Sequence, residues 1–365
     1  VKPLRVAVIG AGHLGRIHAK LASQVDGMEL VAITDPSPAA RDLATNQFGV
    51  DSFESHRDVL NRIDAAIVSS PTPAHATTVA ELLSADKHVF VEKPITIHAH
   101  EAQELVKLAS FRKRILQVGH VERFNPAWTA ASEVTAEAKY IDAVRASRFP
   151  GRCLDVGVVL DLMIHDIDLV LSLTDAPLRS VSASGIAVVS DHEDMAEARL
   201  EFECGLVANL RASRISPTPA RQMKTFGPHG FAEIDFGSLS LAMIRPDSSL
   251  LDRTFDLATT TDQPLKFSDQ LFSDFLTAES VTVQPRNAIL DELHDFAISI
   301  QSRTAPTVSG HDGLRAVEVA NEILASIEAR QWSRQASSGP VGTHAIPVEG
   351  IEAASRRVHQ DRKAA

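Results

Sequence analysis

Residues 5–22 read RVAVIGAGHLGRIHAKLA, and this stretch constrains the fold most. A short β-branched apolar run, Val6 to Ile9, leads directly into glycines at 10, 12 and 15, and a helix-compatible segment follows. A strand, a G-x-G-x-x-G turn and a helix in that order form a dinucleotide cradle. Gly10 permits the tight turn, Gly12 lets the backbone approach a pyrophosphate, and Gly15 allows close helix–strand packing. His13 and Leu14 lie inside the loop, where amide N–H groups at the helix start favour negative charge. The next strand, MELVAITD, ends on Asp35, 20 residues after Gly15. A carboxylate there binds the ribose hydroxyls of an adenosine and repels a 2′-phosphate, so NAD is expected over NADP. Arg41, six residues later, tempers that preference, since an inward turn of its side chain would meet such a phosphate.

The alternation continues. A strand over 65–69, a proline loop, a helix over 75–84 and a strand over 88–92 follow, then a helix over 98–112 and a strand over 114–118. Strands alternating with helices predict a doubly wound parallel sheet, and ligands of such sheets sit outside the carboxyl ends of the strands. Ser70 and Pro71 fall at one such end. Glu92 and Lys93 fall at another, where the apolar run HVFV stops against Pro94. An acid and a base side by side at that edge have a functional reading that a random surface turn lacks. His13, Leu14, Ser70, Pro71, Glu92 and Lys93 are therefore expected near the cofactor.

At 365 residues the chain exceeds a usual single core, so two domains are expected. A formal net charge of −11 offers no basic excess to neutralise nucleic acid. Cys153 and Cys204 stand alone, without metal-ligand spacing, so a reduced setting without a disulfide is expected. No segment approaches the ~20 apolar residues of a membrane helix. The short apolar run at the start does not read as a signal peptide, so a cytoplasmic protein without membrane or nucleic-acid partners is expected.

GAGHLGRIH, TPAH, EKPIT, QVGHVERFNPA and LDLMIHDIDL together resemble the Gfo/Idh/MocA oxidoreductases across roughly residues 4–333. That resemblance implies a Rossmann domain, placed at 1–122, followed by an α/β substrate and oligomerisation domain with a large, mostly antiparallel open sheet, placed at 123–333. It also implies a homodimer or homotetramer joined through that sheet. Several β-rich stretches after residue 175, from SVSASGIAVVS to SLSLAMIR, agree, as does a late segment with helical apolar spacing, GLRAVEVANEILASIEARQW. Residues 334–365 start Ser/Gly/Pro-rich and end charged, and are expected to form a flexible or partner-docked tail.

Moving a hydride from an alcohol also releases a hydroxyl proton, which needs an acceptor. The family's E-K-P lysine maps onto Lys93 and its D-x-x-x-H pair onto Asp161 and His165. Four residues apart, Asp161 and His165 share a helix face, from which the carboxylate is expected to orient the imidazole and raise its pKa. His165 is the expected proton acceptor and Lys93 the stabiliser of the developing alkoxide, with the roles interchangeable. The resemblance also sets His75 near the cofactor and the 117–120 crossover beside the nicotinamide. Arg123 and Asn125 then face either a polar substrate or the domain hinge. Arg214 is a candidate for the sheet-side pocket. Asp166 and Asp168 read as site residues or structural acids, and His18 as packed behind the first helix. No metal site is expected.

The spelling GHVERFNPA is most similar to the subset that oxidises the 3-hydroxyl of UDP-linked N-acetylglucosamine. A free sugar or inositol dehydrogenase or reductase is the alternative. A regulatory dinucleotide-binding protein without turnover is the reading of another class. Where the family often has paired glycines before the acid, this chain has DVGVVLD, with Gly157 remaining.

Overall fold

The computed structural model describes residues 2–149, 155–256 and 267–329, so Cys153 and the 334–365 tail lie outside the described residues. Six strands form the first sheet: β1 (Leu4–Ile9), β2 (Met28–Thr34), β3 (Asp51–Phe53), β4 (Ala65–Val68), β5 (His88–Glu92) and β6 (Leu116–Gly119). All pair in parallel, in the order β3-β2-β1-β4-β5-β6. The sequences explain this choice. Ala65–Val68 is buried at every position, as are Val89–Glu92, and strands covered on both faces read as continuous apolar runs. Helices α1 (His13–Ala22), α2 (Pro38–Phe48), α3 (His75–Ser84) and α4 (Ala99–Arg112) make the crossovers. The expected parallel sheet is present, with β6 ending at Gly119.

The second sheet has eight strands: β7 (Tyr140–Ala146), β8 (Leu178–Ile186), β9 (Met195–Phe202), β10 (Val207–Ser213), β11 (Ala220–Gly227), β12 (Gly230–Asp235), β13 (Ser240–Pro246) and β14 (Leu276–Thr282). Every neighbouring pair is antiparallel except β7 with β10. Burial alternates along the strands, as in β9 and β10, so one face packs on the core and the other is open. The central strand β7 is additional to the expected ones. Its apolar alternation is interrupted by Arg145, an inward-facing guanidinium only 4% exposed. Buried acids compensate it, Asp166 at 2.7 Å and Glu122 at 2.8 Å.

Helix α5 (Ile164–Leu171) follows a π-helical turn, Val159–Met163, and packs under β7 and β10. Two later helices return the chain to the first sheet. Helix α6 (Ala288–Ser302) is capped by Asn287, whose Oδ1 accepts from Leu290 N, and buries Leu293, Phe296 and Ala297 among Val6, Val8, Ile67 and Phe90. Helix α7 (Gly310–Ala329) packs against α4, α5 and β8 together. From it Asn321 accepts from Ala99 N at 3.0 Å and donates to the Ile97 carbonyl at 3.0 Å, fixing the start of α4. The two sheets thus share helices from the end of the chain, so part of the 123–333 segment completes the core of the first domain.

Phe296 is fully buried edge-on to Phe90, with ring centroids 6.0 Å apart. Truncation of a buried phenylalanine costs roughly 3–5 kcal/mol. Phe296→Ala is therefore expected to lower the urea midpoint strongly and to weaken dinucleotide binding, although residue 296 lies far from the glycine loop in sequence. A midpoint equal to that of the parent chain would refute this docking of α6.

Candidate active site

At the carboxyl edge of the first sheet, Gly10 takes a φ of +101°, and a Cβ there would lie 2.8 Å from the Ser69 carbonyl oxygen. A Cβ on Gly15 would lie 1.8 Å from the Gly10 oxygen. Both positions therefore exclude any side chain. Gly12 meets nothing within 4 Å, which leaves its backbone open to a ligand. Asp35 closes the cradle: its Oδ2 accepts from Ala11 N at 2.8 Å and its Oδ1 from Ser37 N at 2.8 Å. His13 is exposed and Leu14 half-buried at the start of α1. Arg41 turns back onto this corner, donating to the carbonyls of Asp35 and Pro36 at 2.7 and 3.0 Å.

The neighbouring strand ends are tied together. His75, 1% exposed, sets its Nδ1 2.9 Å from the Pro94 oxygen and its Nε2 2.8 Å from the Ser70 oxygen. Burial lowers its pKa against the pull of these carbonyls, so the neutral ring donates one of the two bonds. The loop after β4, with exposed Pro71, is thereby fixed to the turn after β5. Glu92 faces inward, and its Oε1 lies 2.6 Å from His18 Nε2. His18 is indeed packed behind α1, at 0% exposure.

Lys93 reaches across the domain boundary. Its Nζ donates to the backbone oxygen of Asp161 at 2.5 Å and to Oδ1 at 3.1 Å. Here the structure corrects an expectation: Asp161 serves the lysine rather than the imidazole. His165 has no hydrogen-bond partner on its Nδ1, and its pKa lies well below the ordinary histidine value. Burial is the main cause, and the positive charges of Lys93 and Arg145 add to it. The shift is opposite in sign to that expected from an adjacent carboxylate, because burial and the nearby positive charges outweigh it. His165 is therefore held as a neutral ring whose buried Nδ1 has no hydrogen-bond partner, within the electrostatic reach of Lys93.

Other candidates hold the frame. Arg123 donates Nε to Asp168 Oδ2 at 2.8 Å and Nη2 to Oδ1 at 3.3 Å, and its Nη2 lies 3.6 Å from Asp312. Asn125 caps the following helical turn through Ala127 N at 3.0 Å and donates to Glu122 at 2.9 Å. The hinge alternative is the one this geometry favours for both. Arg214 is fully buried and paired with Asp194 at 2.8 Å, with Nη1 on the Val156 oxygen. It braces the second sheet instead of facing a pocket. Asp166 and Asp168 are structural acids, bound to Arg145 and Arg123. Gly157 is required by packing, since a Cβ would lie 2.1 Å from the Glu193 carboxylate.

His120 is a further buried group beside this site, with neither ring nitrogen partnered. Burial lowers its pKa, and the charges of Asp168, Arg123 and Lys93 also act on it. Its place right after β6, in GHVERF, is the signal that marks it. A cavity of about 830 Å³ lies at the opposite edge, lined by His88, Arg114 and Gly310 among others. None of the candidate residues lines it. The ionisable groups, not cavity size, locate the chemistry.

Residues 4–120 match an oxidoreductase family described as having an NAD-binding Rossmann fold, and residues 134–233 match the GFO/IDH/MocA C-terminal domain. The chain belongs to the Gfo/Idh/MocA oxidoreductases. It is 31% identical over 327 residues to a UDP-N-acetylglucosamine 3-dehydrogenase of Acidithiobacillus ferrooxidans, covering 89% of this chain and 98% of that one. A solved structure of that organism's enzyme superposes with a TM-score of 0.78, covering 90% and 99% of the two chains. An inositol 2-dehydrogenase of Rhizobium meliloti is 27% identical over 356 residues, covering 90% and 99%. The scyllo-inositol dehydrogenase of Lactobacillus casei, solved with NAD(H) and scyllo-inositol, shares the fold at a TM-score of 0.69 and 22% identity.

This member of the family is a sugar or inositol dehydrogenase that uses NAD. The residues present suit that cofactor: the glycine cradle has no room for side chains where the chain crosses itself and open space at Gly12, and a carboxylate closes it at Asp35. Among the described residues no helix is long and apolar enough to cross a membrane. Cys204 is exposed and unbridged.

The neutral His165 sets a pH dependence. In the unfolded chain its imidazole gains a proton below about pH 6.5, while in the folded chain it does so only at much lower pH. The unfolded state thus binds more protons in that window, and stability is lost as the pH falls through it. His165→Gln is expected to lose less melting temperature than the parent between pH 7 and pH 5. Parallel losses in the two proteins would show that His165 is not held neutral.

Proposed function

We propose that this chain oxidises the 3-hydroxyl of UDP-N-acetylglucosamine to a ketone, with His165 as proton acceptor and Lys93 as the group that holds the hydroxyl oxygen. The observation that carries the chemical assignment is the division of labour at Asp161. The carboxylate and carbonyl of this residue grip the Lys93 Nζ, while the His165 ring is left neutral, with no hydrogen-bond partner on its buried Nδ1. A neutral imidazole accepts a proton; a fixed ammonium stabilises the developing alkoxide, whose negative charge is lost as the hydride leaves and the ketone forms. The hydroxyl proton passes to His165 as the C–H bond breaks. NAD, when bound, supplies the acceptor for the hydride.

The π-helical turn supports this arrangement. Val159–Met163 carries Asp161, and π-turns concentrate at functional sites because they displace one residue from the helical ladder. Ser70, Pro71 and His75 act as the wall of the cofactor site, with His75 fastening two loops of that wall and Glu92 bound to His18 behind it. The substrate assignment rests on the relative from Acidithiobacillus ferrooxidans, aligned over nearly its whole length, together with the GHVERFNPA spelling. Inositol dehydrogenases among the relatives make a free cyclitol the second reading.

The test is turnover with NAD and a panel of UDP-N-acetylglucosamine, free sugars and inositols, following the reduced cofactor. UDP-N-acetylglucosamine is expected to be the preferred substrate. His165→Ala and Lys93→Ala are each expected to lower kcat by roughly 10²–10⁴-fold while NAD binding is kept. Preference for an inositol would overturn the substrate reading, and near-normal turnover in both variants would overturn the assigned roles. Tight NAD binding with no turnover across the panel would favour the regulatory reading.

The open face of the second sheet supports self-association. Phe226 and Tyr140 are 44% and 41% exposed there, stacked edge-on with centroids 5.8 Å apart, and Phe226 also meets Phe231 at 4.8 Å. We propose that this face meets a second copy of the chain. Phe226→Asp is expected to shift the mass in light scattering towards the monomer, and an unchanged mass would place the contact elsewhere.

A further inference from the structure

Behind the cofactor wall lies a cluster that the proposed chemistry does not use. Glu292, in α6, is fully buried, and neither carboxylate oxygen has a hydrogen-bond partner. One ligating atom each from His18, Glu92 and Glu292 lie within 4.8 Å of one another. Glu92 is itself boxed in. Its Oε1 is bound to His18, its Oε2 accepts from Lys93 N at 3.2 Å, and a Cβ on Gly119 would lie 3.1 Å from its carboxyl carbon. The backbone oxygen of Glu292 is held by Gln117 Nε2 at 2.9 Å. The helix carrying the buried Glu292 is therefore anchored to β6 at this residue.

Two carboxylates buried this close cannot both stay charged without compensation. Either a proton or a cation must supply it. His18 Nε2 and Glu92 Oε1 are 2.6 Å apart, the length of a hydrogen bond. Two ligands held at about 2.0–2.2 Å on one cation stand further apart than that, at about 3 Å or more. The geometry therefore favours the proton.

We propose that Glu292 is a positioning residue for Lys93: held as a neutral carboxylic acid, it closes a buried His18–Glu92–Glu292 cluster that fixes Glu92 and the lysine turn behind the reacting groups. The step from cluster to catalysis rests on the role assigned to Lys93 above; the cluster itself does not. Burial first, and then the negative charges of Glu92 and Asp295, hold the Glu292 carboxyl well above the ordinary carboxylate range. The titratable groups facing it are Glu92 from β5, His18 from α1 and Asp295 from its own helix, and β6 contributes the uncharged Gln117.

A carboxyl whose folded pKa is raised contributes stability that is complete below its unfolded pKa and is lost as pH rises through the folded value. Glu292→Gln, the neutral isostere, removes that loss. Its melting temperature is expected to gain on the parent's by several degrees between pH 5 and pH 8. In crystals of this variant the Lys93–Asp161 contact is expected to persist, and kcat to stay within about twofold of the parent. Glu292→Ala is expected to displace Glu92 and Lys93 and to lower kcat about tenfold or more with NAD affinity kept.

Several results would overturn the proposal. These are a glutamine variant that fails to fold or is as impaired as the alanine variant, an unchanged pH slope, or an undisturbed lysine turn in Glu292→Ala. So would one equivalent of divalent metal per purified chain that is lost on Glu292→Gln. The thermal and crystallographic readouts need no substrate, so their failure is distinct from a failed UDP-N-acetylglucosamine assignment.

Discussion

Parallel pairing of six strands is the constraint on which the rest of this molecule depends. It sends every strand of the first sheet out at the same edge, so the glycine turn, Asp35, the Ser70–Pro71 loop, Glu92–Lys93 and His120 arrive as neighbours. Each segment is local in sequence and has little function alone. Parallel register converts them into one wall, with Gly10 pressed against the Ser69 carbonyl where β1 and β4 part. His75 then locks two of these loops with one ring.

The second domain answers this wall from the other side. The π-turn and α5 lie beneath the open sheet and present Asp161 and His165 towards Lys93. Underneath, Arg145 with Glu122 and Asp166, and Arg123 with Asp168, form a nearly dry ionic frame. Such pairs add little net stability over apolar packing, but losing one partner leaves an uncompensated buried charge and is costly. They fix geometry. The neutrality of His165 follows in part from this frame, since Arg145 adds positive potential to the burial that already disfavours an imidazolium.

The cofactor edge was legible because its signals are local. Glycine spacing, an acid at the end of β2, a proline stopping β5 and the i,i+4 pair in LDLMIHDIDL all read directly from residue order. Five of the first sheet's strands were legible for the same reason, as largely apolar runs, whereas β3, a three-residue edge strand carrying Asp51 and Ser52, has no such run. β7 was harder to read, because its inward Arg145 is acceptable only once Glu122 and Asp166 are folded around it. Helix α6 was not among the sequence expectations; it has an Asn287 cap and helical apolar spacing at Leu293, Phe296 and Ala297, yet nothing local says that it packs on the first sheet.

Residue order by itself determined a dinucleotide-binding parallel sheet, a second β-rich domain and which lysine, aspartate and histidine carry the family motifs. Tertiary structure decided their partners. Asp161 is four residues from His165 but bonds Lys93, 68 residues away. Arg123 turns to Asp168, and Glu92 to His18, 74 residues away, with Glu292 from a distant helix closing the cluster. The physical reason is that spacing fixes which face a side chain occupies. Burial and the nearest compensating charge then fix what it binds, and both depend on contacts between segments far apart in the chain.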